Sequence, residues 1–114
     1  MELKSFKGIV ANPGIYTGKI KLVTSVKDIW KVKEGDIVVT VDNSPLFSLA
    51  FMKASAIISE RGGSLCHLAI VSREMDKPCI LGVESASLNL KEGMLVKVDA
   101  TNNKITILEN EWIY

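Results

Sequence analysis

The sequence has little of several residues that mark common protein classes: its 114 residues include one histidine, two cysteines and three prolines. Two cysteines, Cys66 and Cys79, are too few for a disulfide framework or for the ligand set of a zinc site. No apolar run approaches the length that spans a bilayer, and the first residues do not lead into a signal-peptide core. We therefore expect a cytoplasmic protein without structural disulfides, a metal site or a membrane span.

An excess of charge of one sign is also missing. The chain carries 14 basic and 13 acidic residues, without a block of either sign, for a formal net charge of +1. This balance lacks the basic surface typical of proteins that bind nucleic acid or anionic membranes. With 47% hydrophobic and 24% charged residues, the composition is that of a soluble globular protein. The length predicts a single domain over residues 1–114.

Alternating and β-branched apolar runs predict an α/β fold, with a mixed β core and two or three short helices. Strands are predicted at residues 6–11, 18–23, 37–41, 56–59, 79–81, 95–99 and 105–108, and helices at residues 46–53 and 66–75. Residues 25–32 fit either a short helix or a turn. Hairpins are expected at both ends of the chain, around Asn12-Pro13-Gly14 and around residues 101–104.

The single histidine lies at a junction that suits phosphate chemistry. His67 follows the pair Gly62-Gly63, between a predicted strand and the predicted helix 66–75. The first amides of a helix have no partner within it and carry partial positive charge, so they bind anions such as phosphate. Imidazole titrates near neutral pH, so a free ring nitrogen is available to accept a phosphoryl group. On these residues alone, a packed or capping histidine explains the position equally well.

Other residues near the histidine could support a phosphate. Arg61 and Arg73 could each hold it by a bidentate fork, although a solvated charge or a local ion pair explains both equally well. Ser44 could hydrogen-bond the imidazole if its loop folds over His67. We also predict Ser44 as the N-cap of a helix with Pro45 at its first position, and the two roles are compatible.

Ser64 and Cys66 lie between the glycines and the histidine, and we count both, with Gly62 and Gly63, among the residues that support the phosphate. Cys66 also offers a competing chemistry, because a thiol at a helix N-terminus can act as a thiolate nucleophile. However, adjacent residues on a helix point in different directions, and the chain has no second histidine to serve as base. A packing role for Cys66 is therefore preferred, as it is for Cys79 in its apolar surroundings.

Residues 59–78, SERGGSLCHLAIVSREMDKP, closely resemble the phosphohistidine swivelling domain of the phosphoenolpyruvate (PEP)-utilising enzymes. That family includes pyruvate phosphate dikinase, phosphoenolpyruvate synthase and enzyme I of the sugar phosphotransferase system. The shared pattern is a glycine pair, two residues, Ser or Cys, His, a small apolar run, an Ala-Arg-Glu-like triplet and then proline. Further matches extend the resemblance over nearly the whole chain, at residues 8–14, 18–20, 36–40, 44–45 and 93–99.

The resemblance implies a β/β/α swivelling fold in which His67 is phosphorylated and Ser44 lies near it. In the family, this domain carries the phosphoryl group between an ATP-grasp nucleotide-binding domain and a barrel that binds PEP or pyruvate. Neither fits into 114 residues, so we expect a stand-alone phosphoryl carrier, one subunit of a split phosphotransferase. Its partners would be an ATP-grasp subunit, a PEP- or pyruvate-binding barrel subunit, or both. Mg²⁺ and ATP or PEP are expected on a partner, with no cofactor bound by this chain.

Three departures from the family pattern are informative. Leu65 replaces a threonine that can be a regulatory phosphorylation site in the dikinases, so that control is expected to be absent. Asp76 stands where glycine is common after the helix, and the helix exit is therefore expected to differ. Residues 46–52 are more apolar than in the family, so Leu46 or Phe47, if exposed, becomes a candidate docking patch.

Two alternative functions stay open: a non-catalytic regulatory or assembly subunit that keeps the fold as a binding module, and a small enzyme that uses Cys66. A piece cut from a larger enzyme is a further possibility, and the Met1 start and the aromatic ending Trp112-Ile113-Tyr114 weigh weakly against it.

Overall fold

The computed structural model describes residues 5–41, 44–63 and 66–109. The strands are β1 Ser5–Phe6, β2 Ile9–Asn12, β3 Ile15–Val23, β4 Ile37–Thr40, β5 Ala56–Ser59, β6 Cys79–Leu81, β7 Leu95–Asp99 and β8 Lys104–Glu109. The helices are α1 Ser48–Lys53, α2 His67–Met75 and α3 Ala86–Asn89, and two 3₁₀ segments cover Val26–Lys31 and Pro45–Phe47. None of the helices in this part of the chain is long and apolar enough to cross a membrane.

The strands form one sheet of eight in the order β1-β8-β7-β3-β4-β5-β6-β2. Strands β3 to β6 run parallel to one another, and the pairings outside them are antiparallel. The predicted α/β class, with a mixed β core and short helices, is therefore confirmed. The four-residue helix α3 was not predicted, because so short a segment shows no helical period.

The central strands β4 and β5 are buried on both faces, as the β-branched run of β4 predicts. Val38 and Ile57 pack in a cluster with side chains of α1 and α2. Val39 and Ile58 point the other way, into a cluster that includes side chains of α3. Helices α1 and α2 therefore lie on one face of the sheet and α3 on the other.

The two predicted hairpins have different outcomes. Strands β7 and β8 pair as an antiparallel hairpin, which confirms the C-terminal prediction. The N-terminal prediction is wrong, because β2 pairs with β6 while β3 pairs with β7 and β4. The Asn12-Pro13-Gly14 turn therefore leads the chain from one edge of the sheet to its middle. Turn residues predict that the chain changes direction, but they do not predict which strand the next strand pairs with.

Helix α2 ends in a left-handed residue. Asp76 has φ 52° and ψ 50°, and its Oδ1 accepts a hydrogen bond of 3.1 Å from Asn12 Nδ2. A left-handed residue after a helix is the position that glycine favours. The expectation that the helix exit differs is therefore wrong, because Asp76 keeps the left-handed conformation of glycine and its side chain adds a hydrogen bond to β2.

Candidate functional site

The candidate site lies at the carboxyl ends of the parallel strands β4, β5 and β6. The loops that leave these ends are joined by backbone hydrogen bonds, from Glu60 N to Thr40 O at 2.9 Å and from Val83 N to Ser59 O at 3.0 Å. The loop after β4 leads to α1, and the loop after β5 leads through the glycine pair to α2. The carboxyl ends of parallel strands are where open α/β sheets bind their ligands.

His67 is the first residue of α2, and its side chain is exposed. Cys66 occupies the N-cap position with extended backbone (φ −74°, ψ 163°), and its thiol makes no capping hydrogen bond to the described part of the helix. Serine, threonine, aspartate or asparagine would supply an acceptor at this position. Cys66 therefore does not compete with another acceptor, such as a phosphate, for the first amides of α2.

Ser48 in the first turn of α1 reaches the imidazole. Its Oγ lies 3.5 Å from His67 Nε2, the outer limit for a hydrogen bond, and donates to the carbonyl of Pro45 at 2.7 Å. Sequence analysis missed Ser48 and proposed Ser44 instead. Ser44 Oγ accepts from Leu46 N at 3.2 Å, which confirms its predicted N-cap role.

The two glycines meet different constraints. Gly62 has φ +110°, a left-handed region that side chains rarely adopt. Gly63 has open space around it, since a Cβ there would meet no atom within 4 Å. The carbonyl of Gly63 accepts from Cys66 N at 3.1 Å. The first glycine is therefore required by the turn, whereas the second leaves room for a group to approach the backbone.

The two candidate arginines are placed differently. Arg61 is exposed directly before the glycine pair, and its backbone N–H donates to Ser59 Oγ at 3.2 Å. Arg73 donates from Nε to the carbonyl of Ala11 at 2.9 Å, so it ties α2 to β2. Six helical residues separate Arg73 from His67, a rise of roughly 9 Å. Arg73 is therefore engaged in a contact with β2, and Arg61 stays a candidate to hold a phosphate on the imidazole.

Glu60 is a second residue that the sequence analysis did not single out. Its Oε1 accepts from the backbone N of Ser87 at 2.7 Å and from the Ser87 hydroxyl at 2.6 Å. Short hydrogen bonds to a carboxylate are among the stronger kinds. Glu60 thereby fixes the start of the glycine loop to the first turn of α3. Its place directly before Arg61 and the glycine pair is the signal that could have pointed to it.

The two cysteines differ in burial. Cys79 is buried in β6, and its burial raises the pKa of the thiol to about 12, even though Ser72 hydrogen-bonds it. Cys66 is half-buried and packs against the cluster under α1 and α2. The packing roles expected for both thiols agree with these placements.

A groove of about 590 Å³ lies away from His67, at the opposite, amino ends of the parallel strands. It is lined by Tyr16, Glu34, Met52, Lys53, Ala54, Ser55 and Lys77. No cluster of three His, Cys, Asp or Glu side chains that could hold a metal occurs within residues 5–41, 44–63 and 66–109. Ser64 and Leu65 lie outside the described residues. An exposed histidine at a helix N-terminus suits a group that is presented to another protein.

The chain is similar in sequence to phosphoenolpyruvate synthases. The chain is 48% identical over 93 residues to a "Probable phosphoenolpyruvate synthase" of Archaeoglobus fulgidus, a match over 82% of this chain and 12% of that protein. It is 43% identical over 99 residues to the "Phosphoenolpyruvate synthase" of Pyrococcus furiosus, over 87% of this chain and 12% of the relative. The chain thus spans about an eighth of the length of these curated relatives.

A solved structure shares the fold alone. The holo-form of aconitase X from Thermococcus kodakaraensis superposes with a TM-score of 0.69 at 22% identity, over 93% of this chain and 99% of that chain. A fold shared at such low identity does not specify the chemistry, which must be argued from the site.

The family model described as "PEP-utilising enzyme, mobile domain" matches residues 32–103. The match includes α1, the glycine pair and the whole of α2, and therefore every residue of the site described above. The chain belongs to the family of mobile domains of PEP-utilising enzymes.

Proposed function

We propose that the chain is a phosphoryl carrier that is transiently phosphorylated on His67. The observation that carries the proposal is the exposed imidazole at the N-terminus of α2, within the segment matched by the family. The names of the relatives, phosphoenolpyruvate synthases, support a role in phosphoryl transfer. The chain corresponds to about 12% of those proteins, so we assign the donor and acceptor sites to other domains or subunits.

The chemistry needs little from the chain beyond a nucleophile and a cradle for charge. An unprotonated ring nitrogen attacks phosphorus, so that an N–P bond forms while the bond from phosphorus to the leaving oxygen of ATP or PEP breaks. The first amides of α2 and the Arg61 side chain would offset the negative charge. In the second transfer an acceptor oxygen attacks phosphorus and the imidazole leaves.

The proposed partners supply the donor and acceptor sites for the phosphoryl group. A nucleotide-binding subunit of the ATP-grasp type, a PEP- or pyruvate-binding barrel subunit, or both would exchange the phosphoryl group with His67. Mg²⁺ would bind with the nucleotide or with PEP on those subunits. The chain would then be one component of a split phosphotransferase, and its exposed site would visit each partner in turn.

Labelling tests the proposal directly. The purified chain is incubated with an extract of its source cells and either [γ-³²P]ATP or [³²P]PEP, and the label is mapped by mass spectrometry. We expect an acid-labile, alkali-stable adduct on His67, because phosphohistidine has that stability profile. His67→Asn should take up no label.

The adjacent substitution Cys66→Ala provides the matched control and should keep the label, because alanine supplies no capping acceptor that would compete for the first amides of α2. Equal labelling of His67→Asn and wild type would reject the assignment of His67. Loss of label in Cys66→Ala alone would favour the cysteine enzyme. A wild-type chain that accepts phosphate from neither donor, yet still binds its partners, would instead be the non-catalytic subunit.

A further inference from the structure

We propose that Glu60 is a positioning residue for phosphoryl transfer, because its carboxylate ties the loop that precedes His67 to helix α3. The observation that carries the inference is a pair of short hydrogen bonds between two loops, from the backbone N–H and the hydroxyl of Ser87 to Glu60 Oε1, at 2.7 and 2.6 Å. The inference rests on the proposed function and adds to it a residue that acts on the transfer only through other residues.

The loop after β5 needs such a tie because it contains two glycines. A backbone hydrogen bond of 2.9 Å from Glu60 N to Thr40 O holds its start. The pair Gly62-Gly63 follows, and glycine leaves the backbone free to adopt many conformations. The carbonyl of the second glycine accepts from the backbone N of Cys66, the residue before His67, at 3.1 Å. A displacement of the loop is therefore passed on to the first residue of α2.

The other end of the tie is a fixed part of the fold. Helix α3 is held by Ala86 and Leu90, which are both fully buried. The N-cap residue Ser85 makes no capping hydrogen bond with its side chain, so the first amides of α3 need another acceptor. Glu60 supplies one for Ser87 N, and hydrogen bonds to a carboxylate are about twice as strong as those between neutral groups. The glycine loop is thus anchored to a helix on the opposite face of the sheet from His67.

Transfer to an imidazole depends on how accurately the imidazole is held. The phosphorus must come within roughly 3–3.5 Å of a ring nitrogen, and a misplacement of about 1 Å can lower the rate about a hundredfold. The N–P bond to His67 forms while the bond from phosphorus to the leaving group of the donor breaks, and no proton passes through Glu60. A carboxylate repels a phosphate, so its contribution to the rate comes from its hydrogen bonds and not from its charge.

Two substitutions separate the hydrogen bonds from the charge. Glu60→Ala removes the acceptor, whereas the side-chain oxygen of Glu60→Gln has the same reach and accepts both hydrogen bonds without a charge. Initial rates of His67 labelling are measured with the source-cell extract and with potassium phosphoramidate, a small donor whose P–N bond breaks to release ammonia. We expect Glu60→Ala to lose about tenfold or more with both donors. Glu60→Gln should stay within about threefold of wild type.

Ser87→Ala tests the same contact from its other side. It removes the hydroxyl donor and keeps the backbone donor, so its rate should fall by about threefold. Combined with Glu60→Ala it should cause no further loss, because the two residues act through one contact. Glu84→Ala removes an exposed carboxylate from the same loop as α3 and should leave both rates unchanged.

All rates are compared under conditions where urea denaturation shows the variant to be folded. If Glu60→Ala does not fold, Ser87→Ala and Glu60→Gln carry the test, with the losses given above. Wild-type labelling by folded Glu60→Ala, or by Ser87→Ala in its place, would overturn the positioning role and leave the carrier role intact.

Two other results would also overturn it. A folded Glu60→Gln that labels as slowly as Glu60→Ala would show that the charge acts and not the hydrogen bonds. A loss with the extract alone would place Glu60 in the contact with the donor protein. Absence of label in the wild-type chain would instead remove the proposed function itself, and this role with it.

Discussion

At the scale of single residues, the reactivity of the Cys79 thiol tests its burial. Burial raises the pKa of Cys79 to about 12, so at pH 8 almost no thiolate is present, and the native fold also blocks access. We expect iodoacetamide at pH 8 to leave Cys79 unmodified in the native chain and to modify it fully in guanidinium chloride, as read by peptide mass spectrometry. Stoichiometric alkylation of Cys79 in the native chain would contradict its buried position.

Asp28, far from His67 in sequence, anchors the first 3₁₀ segment. Burial alone would raise the pKa of its carboxyl, but hydrogen bonds from the backbone of Thr24 and Ser25 and the contact with Lys31 outweigh burial and lower the pKa from 3.8 to about 2. A carboxylate with a lowered pKa in the folded state stabilises the fold above its unfolded pKa. That contribution disappears as the pH falls from about 4 through about 2.

Asp28→Asn should therefore lower the free energy of unfolding by about 1 kcal/mol at pH 7, and the difference from wild type should shrink toward pH 2.5. Urea denaturation at pH 7, 4 and 2.5 measures it. Lys31→Met removes two partly exposed ion pairs, with Asp28 and with Glu92, and should lower the free energy of unfolding by about 0.5 kcal/mol or less at pH 7. A difference between Asp28→Asn and wild type that stays constant over this pH range would refute the role given to the carboxylate.

Single residues also mark the limit of what the sequence predicts about the site. His67 could be found because one histidine follows a glycine pair at a strand–helix junction, and Ser44 because Ser-Pro is a helix-start signal. Ser48 could not, since its contact with His67 joins two different helices and depends on how α1 packs beside α2. Arg73 illustrates the converse: a cation near a histidine in sequence is directed by the helix toward the Ala11 carbonyl.

At the scale of elements, the exit of α2 balances backbone strain against a side-chain contact. Asp76 takes the left-handed conformation with φ 52°, and its carboxylate accepts from Asn12 Nδ2. Asp76→Ala keeps a Cβ at this φ and loses the acceptor, so it should lower the free energy of unfolding by about 1–2 kcal/mol. Asp76→Gly loses the same acceptor but relieves the strain, and should stay within about 0.5 kcal/mol of wild type.

Equilibrium denaturation of both variants, each also combined with Asn12→Ala, separates the two contributions. In the Asn12→Ala background, Asp76→Ala should lower the free energy of unfolding by less than it does in the wild-type chain, because the Asp76 carboxylate has already lost its donor. A glycine variant as unstable as the alanine variant would show that the left-handed backbone carries no strain here.

Helices, strands and turns could be predicted where the sequence signal comes from residues close together in the chain. The β-branched runs of β4 and β5, the Ser44-Pro45 helix start and the β7–β8 hairpin each depend on neighbours in sequence. The partner of β2 did not follow from such signals, because its pairing with β6 joins residues far apart in sequence. The break between β1 and β2 likewise comes from tertiary contact, at Gly8.

At the scale of the whole molecule, Gly8 lies where the two ends of the sheet come together. Strands β1 and β2 are the opposite edges of the sheet order, yet only two residues separate them in the chain. The backbone of Gly8 exchanges two hydrogen bonds with the Asn103 side chain, of 3.0 and 2.8 Å. A Cβ at Gly8 would lie 2.2 Å from the carbonyl oxygen of Leu81, which forces the β1–β2 connection away from β6.

We therefore expect Gly8→Ala to lower the free energy of unfolding by about 2 kcal/mol or more, through overpacking against backbone. Gly63→Ala makes the complementary change, because a Cβ there meets nothing within 4 Å. Its stability should stay within about 0.5 kcal/mol of wild type, whereas labelling of His67 should slow, since the added methyl occupies space through which a phosphate approaches the backbone. Denaturation and labelling of the two variants therefore distinguish Gly8, which the fold requires, from Gly63, which the candidate site uses. Unchanged labelling of Gly63→Ala would show that Gly63 has no role in transfer.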